Sequence, residues 1–307
     1  MPLWRRARVL TRRVLFEALR IVPDRLVDAV HERWMPPSGE GDRRWRWVAA
    51  VLFYRRLHQD VIVVPGSAGA RLAVVGSRLE RTLWWWGAQG YEPAEARWWR
   101  RLCAAAGNVL EVGANIGWYS VVGGREAAEY TAVEPNPEAA GVLRRNLDLN
   151  ALGHVRVVEA AVVGADGPAR VELALPDQEA HSTAPTGAFL RVGTEAMSDR
   201  NAARSVTVPT VTAASLFAGR DLVKLDIEGS EATVLAAALP EIRRSRPILL
   251  VEVLPGAARL QQVLGELVEL GYRVLDLADP PRHLDLATTT PTGRDVLVVP
   301  EERLSEL

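Results

Sequence analysis

The chain has 307 residues, of which 48% are hydrophobic and 24% charged, and its formal net charge is −1. This composition is typical of a folded protein with a large core, long enough for one large domain and an appendage. No run reaches the ~18 apolar residues of a membrane span, which excludes a transmembrane segment, and the Arg-rich start lacks the apolar core of a signal peptide. A single cysteine, Cys103, excludes an internal disulfide, so we expect a cytoplasmic protein.

The first 60 residues are predicted to form a basic, helical N-terminal extension. Residues 1–56 carry 13 arginines and 6 acidic residues. Apolar residues recur at helical spacing from Leu3 to Ala18, until Pro23 ends the pattern, and a second short helix is predicted from Asp24 to Trp34. Such a basic amphipathic helix can lie on an anionic membrane or bind an acidic partner, although packing on its own protein is more common.

Residues 61–100 are predicted to form a strand hairpin and a helix that lead into the main domain. The hairpin comes from the short apolar runs of "DVIVVPGSAGARLAVVGSRL", which glycine and proline interrupt. The helix begins near Glu92 and ends before Gly107. The region is rich in tryptophan, which either forms an aromatic wall for a bulky or sugar-like ligand or packs the N-terminal segment on the main domain: Trp84, Trp85, Trp86, Trp98 and Trp99.

Residues 101–307 are predicted to form one α/β domain. Strand and helix patterns alternate from "NVLEVG" to "HVRVVEAAVV", and they continue through "DLVKLDIEG" and "PILLVEVLP". The segment "HVRVVEAAVV" is predicted to form one strand. Such alternation indicates a mostly parallel sheet with helices on both faces. The last two strands, "YRVLDLA" and "DVLVVP", have no helical pattern between them and should pair antiparallel. This predicted layout, a seven-stranded, mostly parallel sheet with an antiparallel C-terminal hairpin, resembles the Rossmann-like architecture of class I methyltransferases.

The segment "NVLEVGANIGWYSVVGG" places an acid, Glu111, just before two glycines, Gly113 and Gly117. A dinucleotide site needs three glycines and disfavours a carboxylate next to its phosphates. S-adenosyl-L-methionine carries an ammonium and a sulfonium instead, so Glu111 attracts it. The glycines let the loop pass close to the methionine part, and Asn115 offers an amide to its amino-acid end. Trp118 follows in the same loop and is a further candidate contact.

A second acid, Glu134, ends the next strand, 21 residues after Gly113. Doubly wound nucleotide folds place a ribose-binding carboxylate at this position. Asn136 is predicted to cap the following helix, after Pro135. A surface glutamate before a helix would explain Glu134 alone, but not acids at two consecutive strand ends. The third strand brings Ala160 near the predicted adenine site.

The segment "DLVKLDIEGSE" contains Lys224, which is the only lysine among 37 basic residues, and Asp226 on the same strand face. A buried lysine needs a partner, and Glu252 on the neighbouring strand is predicted to be it. A structural ion pair and a catalytic role for Lys224 both remain open at this point.

These motifs, in this order and spacing, resemble the FkbM family of methyltransferases over roughly residues 90–256. The segments that carry the resemblance are "EVGANIGWYS", "AVEPNPEAAGVLRRNLDLN", "VKLDIEGSEATVL" and "ILLVEV". The resemblance implies S-adenosyl-L-methionine as methyl donor and a hydroxyl of a polyketide, sugar or other secondary metabolite as acceptor. By position, it implies donor-site roles for Glu111, Gly113, Asn115, Gly117 and Glu134, and its signature includes Lys224, Asp226, Glu228 and Glu231. With their neighbours in the two loops, the full predicted donor site is Glu111, Gly113, Ala114, Asn115, Gly117, Trp118, Glu134, Pro135, Asn136, Ala160 and Asp226.

Methyl transfer to an alcohol depends on positioning and on removal of the hydroxyl proton. Asp226 is the first candidate for holding the donor or the acceptor hydroxyl, followed by Glu228 and Lys224. His181, in the polar stretch "PDQEAHSTAPTG", is a further candidate base or an exposed loop residue without a role. Asp226, Glu228 and Glu252 offer oxygen ligands for Mg²⁺, but no ligand spacing demands a metal, so none is predicted.

Nucleic acid is disfavoured as the acceptor. The chain lacks the D/N-P-P-Y/F tetrapeptide of nucleic-acid amino methyltransferases after the fourth strand, and "DPPR", residues 279–282, follows the wrong strand. The chain beyond residue 56 is also acidic, which disfavours a phosphate backbone. The leading prediction is a small-molecule O-methyltransferase. The alternatives are a nucleotide-binding Rossmann-like oxidoreductase and a non-catalytic binding protein on a methyltransferase fold, while the oligomeric state is not readable from the sequence.

Overall fold

The computed structural model describes residues 19, 21–35, 43–53, 55–176, 189–190, 202–227, 229–286 and 294–307. The chain divides into two units, one that extends up to Pro93 and one that begins at Ala94. The predicted helix before Pro23 falls almost entirely outside the described residues. The subdivision of the first hundred residues into an extension and a lead-in remains a prediction about domains.

The N-terminal unit combines short helices with a two-stranded antiparallel hairpin. Its helices and strands are α1 (Asp24–Trp34), α2 (Arg46–Leu52), β1 (Val61–Val63), β2 (Arg71–Ala73) and α3 (Arg78–Trp86), with 3₁₀ turns at Arg43–Trp45 and Ala88–Gly90. Val61 pairs with Ala73 and Val63 with Arg71. The structure therefore confirms the predicted hairpin and gives α1 the predicted bounds.

Aromatic packing holds α3 against α1. The indole of Trp34 donates to the carbonyl of Trp85 at 2.5 Å, and the ring of His31 stacks on Trp84 with 3.7 Å between centroids. Trp84 and Trp85 are buried. These two tryptophans therefore belong to the core of this unit. An aromatic wall for a ligand remains a prediction.

The second unit contains the predicted seven-stranded sheet. Its strand order is β12-β13-β11-β10-β3-β4-β5. The strands are β3 (Asn108–Val112), β4 (Glu129–Val133), β5 (Arg156–Val158), β10 (Leu222–Leu225), β11 (Ile248–Val253), β12 (Tyr272–Leu275) and β13 (Arg294–Pro300). Within this sheet the strands β3, β4, β5, β10 and β11 are parallel, and β13 pairs antiparallel with both β11 and β12. The fold class and the antiparallel C-terminal pair are confirmed.

Helices connect the parallel strands and cover the sheet. They are α4 (Pro93–Ala105), α5 (Trp118–Gly124), α6 (Pro137–Leu149), α7 (Ala213–Phe217), α8 (Glu231–Ser245) and α9 (Ala258–Glu269), and a 3₁₀ turn follows at Glu301–Glu306. Strands β10 and β11 are buried on both faces, as parallel strands between helices must be. Trp98 and Trp99 of α4 are also buried, and Trp99 donates to the backbone carbonyl of Tyr119. They too are core residues.

A second sheet was not predicted from the sequence. Its order is β6-β9-β7-β8, formed by β6 (Ala161–Val163), β7 (Arg170–Pro176), β8 (Phe189–Leu190) and β9 (Ala202–Thr212). The prediction of one strand across residues 154–163 is wrong, because the chain leaves the main sheet after Val158 and pairs Ala161 with Thr210 instead. Alternation in "RVELALP" and "ARSVTVPTVT" was the available signal, since Leu173, Leu175 and Val208 form a small core of their own.

Among the described residues, no helix is both long and apolar enough to cross a bilayer.

Candidate donor and acceptor site

Glu111 lies near the end of β3 with its carboxylate enclosed by the protein. The side chain is 1% exposed and accepts hydrogen bonds from the hydroxyls of Ser120 and Tyr130 at 2.5 and 2.6 Å. In the parallel register Glu111 faces Lys224 of β10. Burial raises the pKa of Glu111 to about 7, against the two hydrogen bonds and the Lys224 ammonium, which lower it. The described contacts of Glu111 are thus with the protein, and contact with the donor remains a prediction.

The loop after β3 needs glycine at position 113 because the next motif lies directly against it. Gly113 has φ 90°, and a Cβ built there would meet the carbonyl oxygen of Asp226 at 1.7 Å. The N–H groups of Gly113 and Ala114 both donate to the carbonyl of Val133. The glycine therefore serves the close approach of β10 to the loop, and it brings the two sequence motifs into contact.

Gly117 has a similar packing reason. Its φ is 89°, and a Cβ there would lie 2.4 Å from a methyl group of Leu143 on α6. Gly117 caps α5, which begins at Trp118. Asn115, between the two glycines, also has positive φ, at 50°, which asparagine tolerates better than most residues.

Glu134 ties this loop to the end of β4. Its two carboxylate oxygens accept hydrogen bonds from the backbone N–H of Asn115 at 2.8 Å and of Asn136 at 2.9 Å. The side chain is 5% exposed, and burial raises its pKa to about 7. Asn136 in turn caps α6 by accepting from the N–H of Glu138, as predicted. Pro135, between the two, is half-buried.

Two buried polar atoms of the loop have no hydrogen-bond partner in the described part of the chain. They are Oδ1 of Asn115, an acceptor, and Nε1 of Trp118, a donor. Buried polar atoms are almost always paired, so such atoms indicate a ligand or water. An amino acid offers a matching pair of groups, because its ammonium donates and its carboxylate accepts.

Ala160 follows β5 and is buried, at 5% exposure. Its neighbour Glu159 forms an ion pair with Arg144 of α6 at 2.8 Å. The predicted proximity of Ala160 to adenine remains a prediction.

Lys224 and Asp226 form an ion pair at the end of β10. The ammonium lies 2.9 Å from a carboxylate oxygen of Asp226, and the lysine side chain is 2% exposed while that of Asp226 is 30% exposed. The ammonium also lies 4.3 Å from the centre of the Tyr119 ring. Burial alone lowers the pKa of Lys224, but the attraction of Asp226, Asp295 and Glu111 outweighs it, so the pKa is raised and the side chain is charged.

The predicted pairing of Lys224 with Glu252 is wrong. Lys224 pairs with Leu250 of β11. Glu252 lies two residues further along β11, where it pairs with Asp295 of β13. The carboxylate that contacts Lys224 comes from its own strand end, at Asp226, because the chain leaves the sheet there.

Glu231, the last acid of the signature, holds the loop that follows Asp226. One of its carboxylate oxygens accepts from the N–H groups of Ile227 and Gly229, each at 3.0 Å. Glu231 is 2% exposed at the start of α8. Its contacts show a positioning role. Glu228 and His181 lie outside the described residues.

Three residues of this region were not predicted from the sequence: Ser120, Tyr130 and Tyr119. Ser120 is a polar residue inside the apolar run "WYSVV", and it is fully buried. A buried hydroxyl at such a position signals a polar partner, which here is Glu111. In the described parts of the chain no three metal-binding side chains cluster, although this leaves Glu228 untested.

The model of the FkbM methyltransferase domain matches residues 111–274, which is more than half of the chain. The chain therefore belongs to the FkbM methyltransferase family, as the motifs predicted. Its fold and family define a methyltransferase, whose methyl donor is S-adenosyl-L-methionine. The oxidoreductase alternative is thereby set aside.

Comparison with solved structures finds methyltransferases at low identity. An FkbM methyltransferase from Methylobacillus flagellatus is 16% identical, with a TM-score of 0.39, and the match covers 63% of this chain and 43% of that one. An O-methyltransferase from Bacillus cereus, solved in complex with SAH, is 13% identical over 68% of this chain and 81% of that one, with a TM-score of 0.37. The SAH-bound Podospora anserina methyltransferase PaMTH1 is 13% identical over 67% and 77%, with a TM-score of 0.37. A comparison with curated proteins finds no significant match.

Proposed function

We propose that the protein transfers a methyl group from S-adenosyl-L-methionine to a hydroxyl of a small molecule. The observation that carries this proposal is the close approach of Gly113 to the backbone carbonyl of Asp226, which brings the residue with a partly exposed carboxylate to the loop of the donor motif. That carboxylate is held by a buried lysine and is partly open to a second molecule.

The donor is held, in this proposal, by the loop from Gly113 to Trp118 and by Glu134. The unpaired Oδ1 of Asn115 accepts from the ammonium of the methionine part, and Nε1 of Trp118 donates to its carboxylate. Glu134 uses the lone pairs left by its two backbone contacts to accept from the ribose hydroxyls, since an ionised carboxylate has about four acceptor positions. Ala114, Pro135, Asn136 and Ala160 supply the surrounding walls.

Asp226 acts on the acceptor. Its carboxylate accepts a hydrogen bond from the acceptor hydroxyl, orients the oxygen and takes its proton as the new bond forms. Lys224 keeps that carboxylate in place through the 2.9 Å ion pair. When bound, S-adenosyl-L-methionine would supply the electrophilic methyl group: its S–C bond breaks as the O–C bond forms, and S-adenosylhomocysteine leaves. Glu228 and His181 remain candidates for further contacts with the acceptor.

A neutral alcohol is a better match for this site than a nucleic acid. The partly exposed carboxylate of Asp226 disfavours a phosphate backbone at this site. A hydroxyl needs a base, which an amine with a free lone pair does not, and Asp226 offers one. We therefore propose a polyketide, a sugar or another secondary metabolite as the substrate class, and natural-product biosynthesis in the cytoplasm as the setting, in keeping with the free thiol of Cys103.

The test is methyl transfer from donor with a radiolabelled methyl group to a panel of alcohols, amines and carbon nucleophiles. We expect a methyl ether as product. Asp226→Asn should lower turnover at saturating donor by about 100-fold, while Asp148→Asn, at an exposed position of α6, leaves it unchanged. A methylated amine or carbon, or full activity in both Asp226→Asn and Lys224→Met, would contradict the proposal. Binding of donor without transfer to any acceptor would favour a non-catalytic protein.

A further inference from the structure

The buried ammonium of Lys224 has a choice between two acids. Lys224 pairs in register with Glu111 of β3, and Asp226 follows two residues later on its own strand end. Neighbouring strands lie about 4.8 Å apart, so the register partner is the nearer backbone neighbour across the sheet. In the described part of the chain, however, the ion pair of Lys224 is with Asp226 alone, at 2.9 Å. A further contact must therefore favour Asp226 over Glu111.

Two consecutive residues at the start of α5 contact the two members of the register pair. The hydroxyl of Ser120 donates to Glu111 at 2.5 Å, and Tyr130 donates to the same carboxylate oxygen. The ring of Tyr119 lies against the other member, with its centre 4.3 Å from the ammonium of Lys224. Hydroxyls thus engage the acid, while an aromatic face engages the cation.

An aromatic face suits this position because it attracts a cation without carrying a negative charge. The π-electrons of the ring draw the ammonium, and the attraction is largest where water is excluded. Lys224 is only 2% exposed, so this condition is met. The ring therefore holds the ammonium without replacing Asp226 as its carboxylate partner.

The position of Tyr119 is itself fixed by packing. Its side chain is 6% exposed, and its backbone carbonyl accepts from the indole of Trp99 at 3.2 Å. Trp99 is fully buried on α4 and also donates to the hydroxyl of Tyr130. The same tryptophan thus contacts the residues that flank both members of the register pair.

We propose that Tyr119 is a positioning residue, whose ring directs the ammonium of Lys224 to Asp226 and away from Glu111. With the ring in place, the ammonium keeps the carboxylate of Asp226 oriented at the strand end. Without the ring, the ammonium is free to approach Glu111, and Asp226 loses the cation that orients it. The effect on methyl transfer rests on the proposed function, whereas the placement of the ammonium does not.

The placement can be measured directly, because Lys224 is the only lysine of the chain. Protein grown with ¹³C-labelled lysine gives one set of lysine side-chain signals in an NMR spectrum. We expect the methylene protons next to the ammonium to be shifted upfield by the ring current of Tyr119. Tyr119→Phe should keep this shift and Tyr119→Leu should lose it. An unshifted signal in wild type, or the wild-type signal in Tyr119→Leu, overturns the proposal whether or not the protein transfers methyl groups.

The consequence for catalysis is measured as turnover of an alcohol at saturating donor. Tyr119→Leu should lower kcat about tenfold, and Tyr119→Phe, which keeps the ring, should lower it much less. The KM for the donor should stay as in wild type, because Tyr119 acts through Lys224 and Asp226. Adding Glu111→Gln to Tyr119→Leu should recover part of the lost kcat, because the competing carboxylate is then absent.

A double-mutant cycle separates positioning from a general structural role. In the Lys224→Met background, Tyr119→Leu should cause no further loss of kcat, since the ammonium on which the ring acts is gone. Thermal unfolding of each variant checks that the fold is kept. An equal loss in both backgrounds overturns the proposal. A wild type that methylates no alcohol contradicts the proposed function instead, and the lysine signal then decides the placement of the ammonium by itself.

Discussion

The ends of β3 and β4 differ from the end of β10, although all three carry acids. Glu111 and Glu134 are 1% and 5% exposed, and their described contacts are hydrogen bonds from the protein's own hydroxyls and backbone. The Asp226 side chain is 30% exposed and rests on a buried lysine. Glu111 is thus enclosed by the protein, Glu134 ties two loops together while keeping lone pairs for the proposed ribose contact, and Asp226 presents a partly exposed group. The burial and the contacts of an acid at a strand end must therefore be known before a role is assigned to it.

The largest effect is expected from a variant that forces the loop after β3 away from the end of β10. Gly113→Ala places a methyl group where the carbonyl oxygen of Asp226 lies, so we expect a loss of roughly 4 kcal/mol or more in unfolding free energy, or failure to fold. Gly256→Ala is the matched control, because Gly256 has φ 83° but open space around it. It should cost only about 1–2 kcal/mol, the cost of the backbone conformation. Urea unfolding measures both, and equal losses would show that the contact with Asp226 has no role.

Removing the framework acid should be the next largest effect. Glu111→Ala removes the acceptor of the buried hydroxyls of Ser120 and Tyr130, so we expect a loss of about 2–4 kcal/mol. Glu111→Gln keeps the shape and one or both hydrogen bonds and should lose less. Chemical unfolding of the two variants measures the difference. A stability in Glu111→Ala equal to that of wild type would contradict a framework role.

The two buried acids, Glu111 and Glu134, should also make the stability of the protein depend on pH. The pKa of Glu111 and that of Glu134 are raised to about 7 from the ordinary value of 4.5 by burial. The folded state therefore keeps these protons over a pH range in which the unfolded state has lost them. Their contribution to stability is fully present below pH 4.5 and falls by up to about 1.4 kcal/mol per group and pH unit until about pH 7. The Glu111→Gln/Glu134→Gln variant should lack this fall, and an unchanged pH slope of its unfolding free energy would contradict the buried, protonated state.

Much of this architecture was predictable, because parallel strands and their helices leave strong periodic patterns. The bounds of α1, the hairpin of β1 and β2 and the antiparallel C-terminal pair all followed from such patterns. The second sheet did not, because the run around Glu159 looks like one strand although its two halves pair with different partners. Local sequence does not reveal pairing over such distances.

The site was predictable as a set of positions, but not as a set of contacts. The motifs gave Glu111, Glu134, Lys224 and Asp226, and the family match supports the motifs. The reason for Gly113 lies in the backbone of Asp226, and the partner of Lys224 depends on the register of β10 on β11. Both facts arise from tertiary packing, which spacing along the chain does not encode.

The most direct test of the central claim is calorimetry with S-adenosylhomocysteine at pH 6 and pH 8. We expect wild type to bind one molecule, about tenfold more tightly at pH 8, because ionised Glu134 accepts from the ribose hydroxyls and its pKa is about 7. Glu134→Gln should bind at least about tenfold more weakly at pH 8 and lose the pH dependence, while Glu138→Gln, which changes the half-exposed partner of Arg204, should behave as wild type. No binding by wild type, or wild-type affinity in Glu134→Gln, would contradict the account.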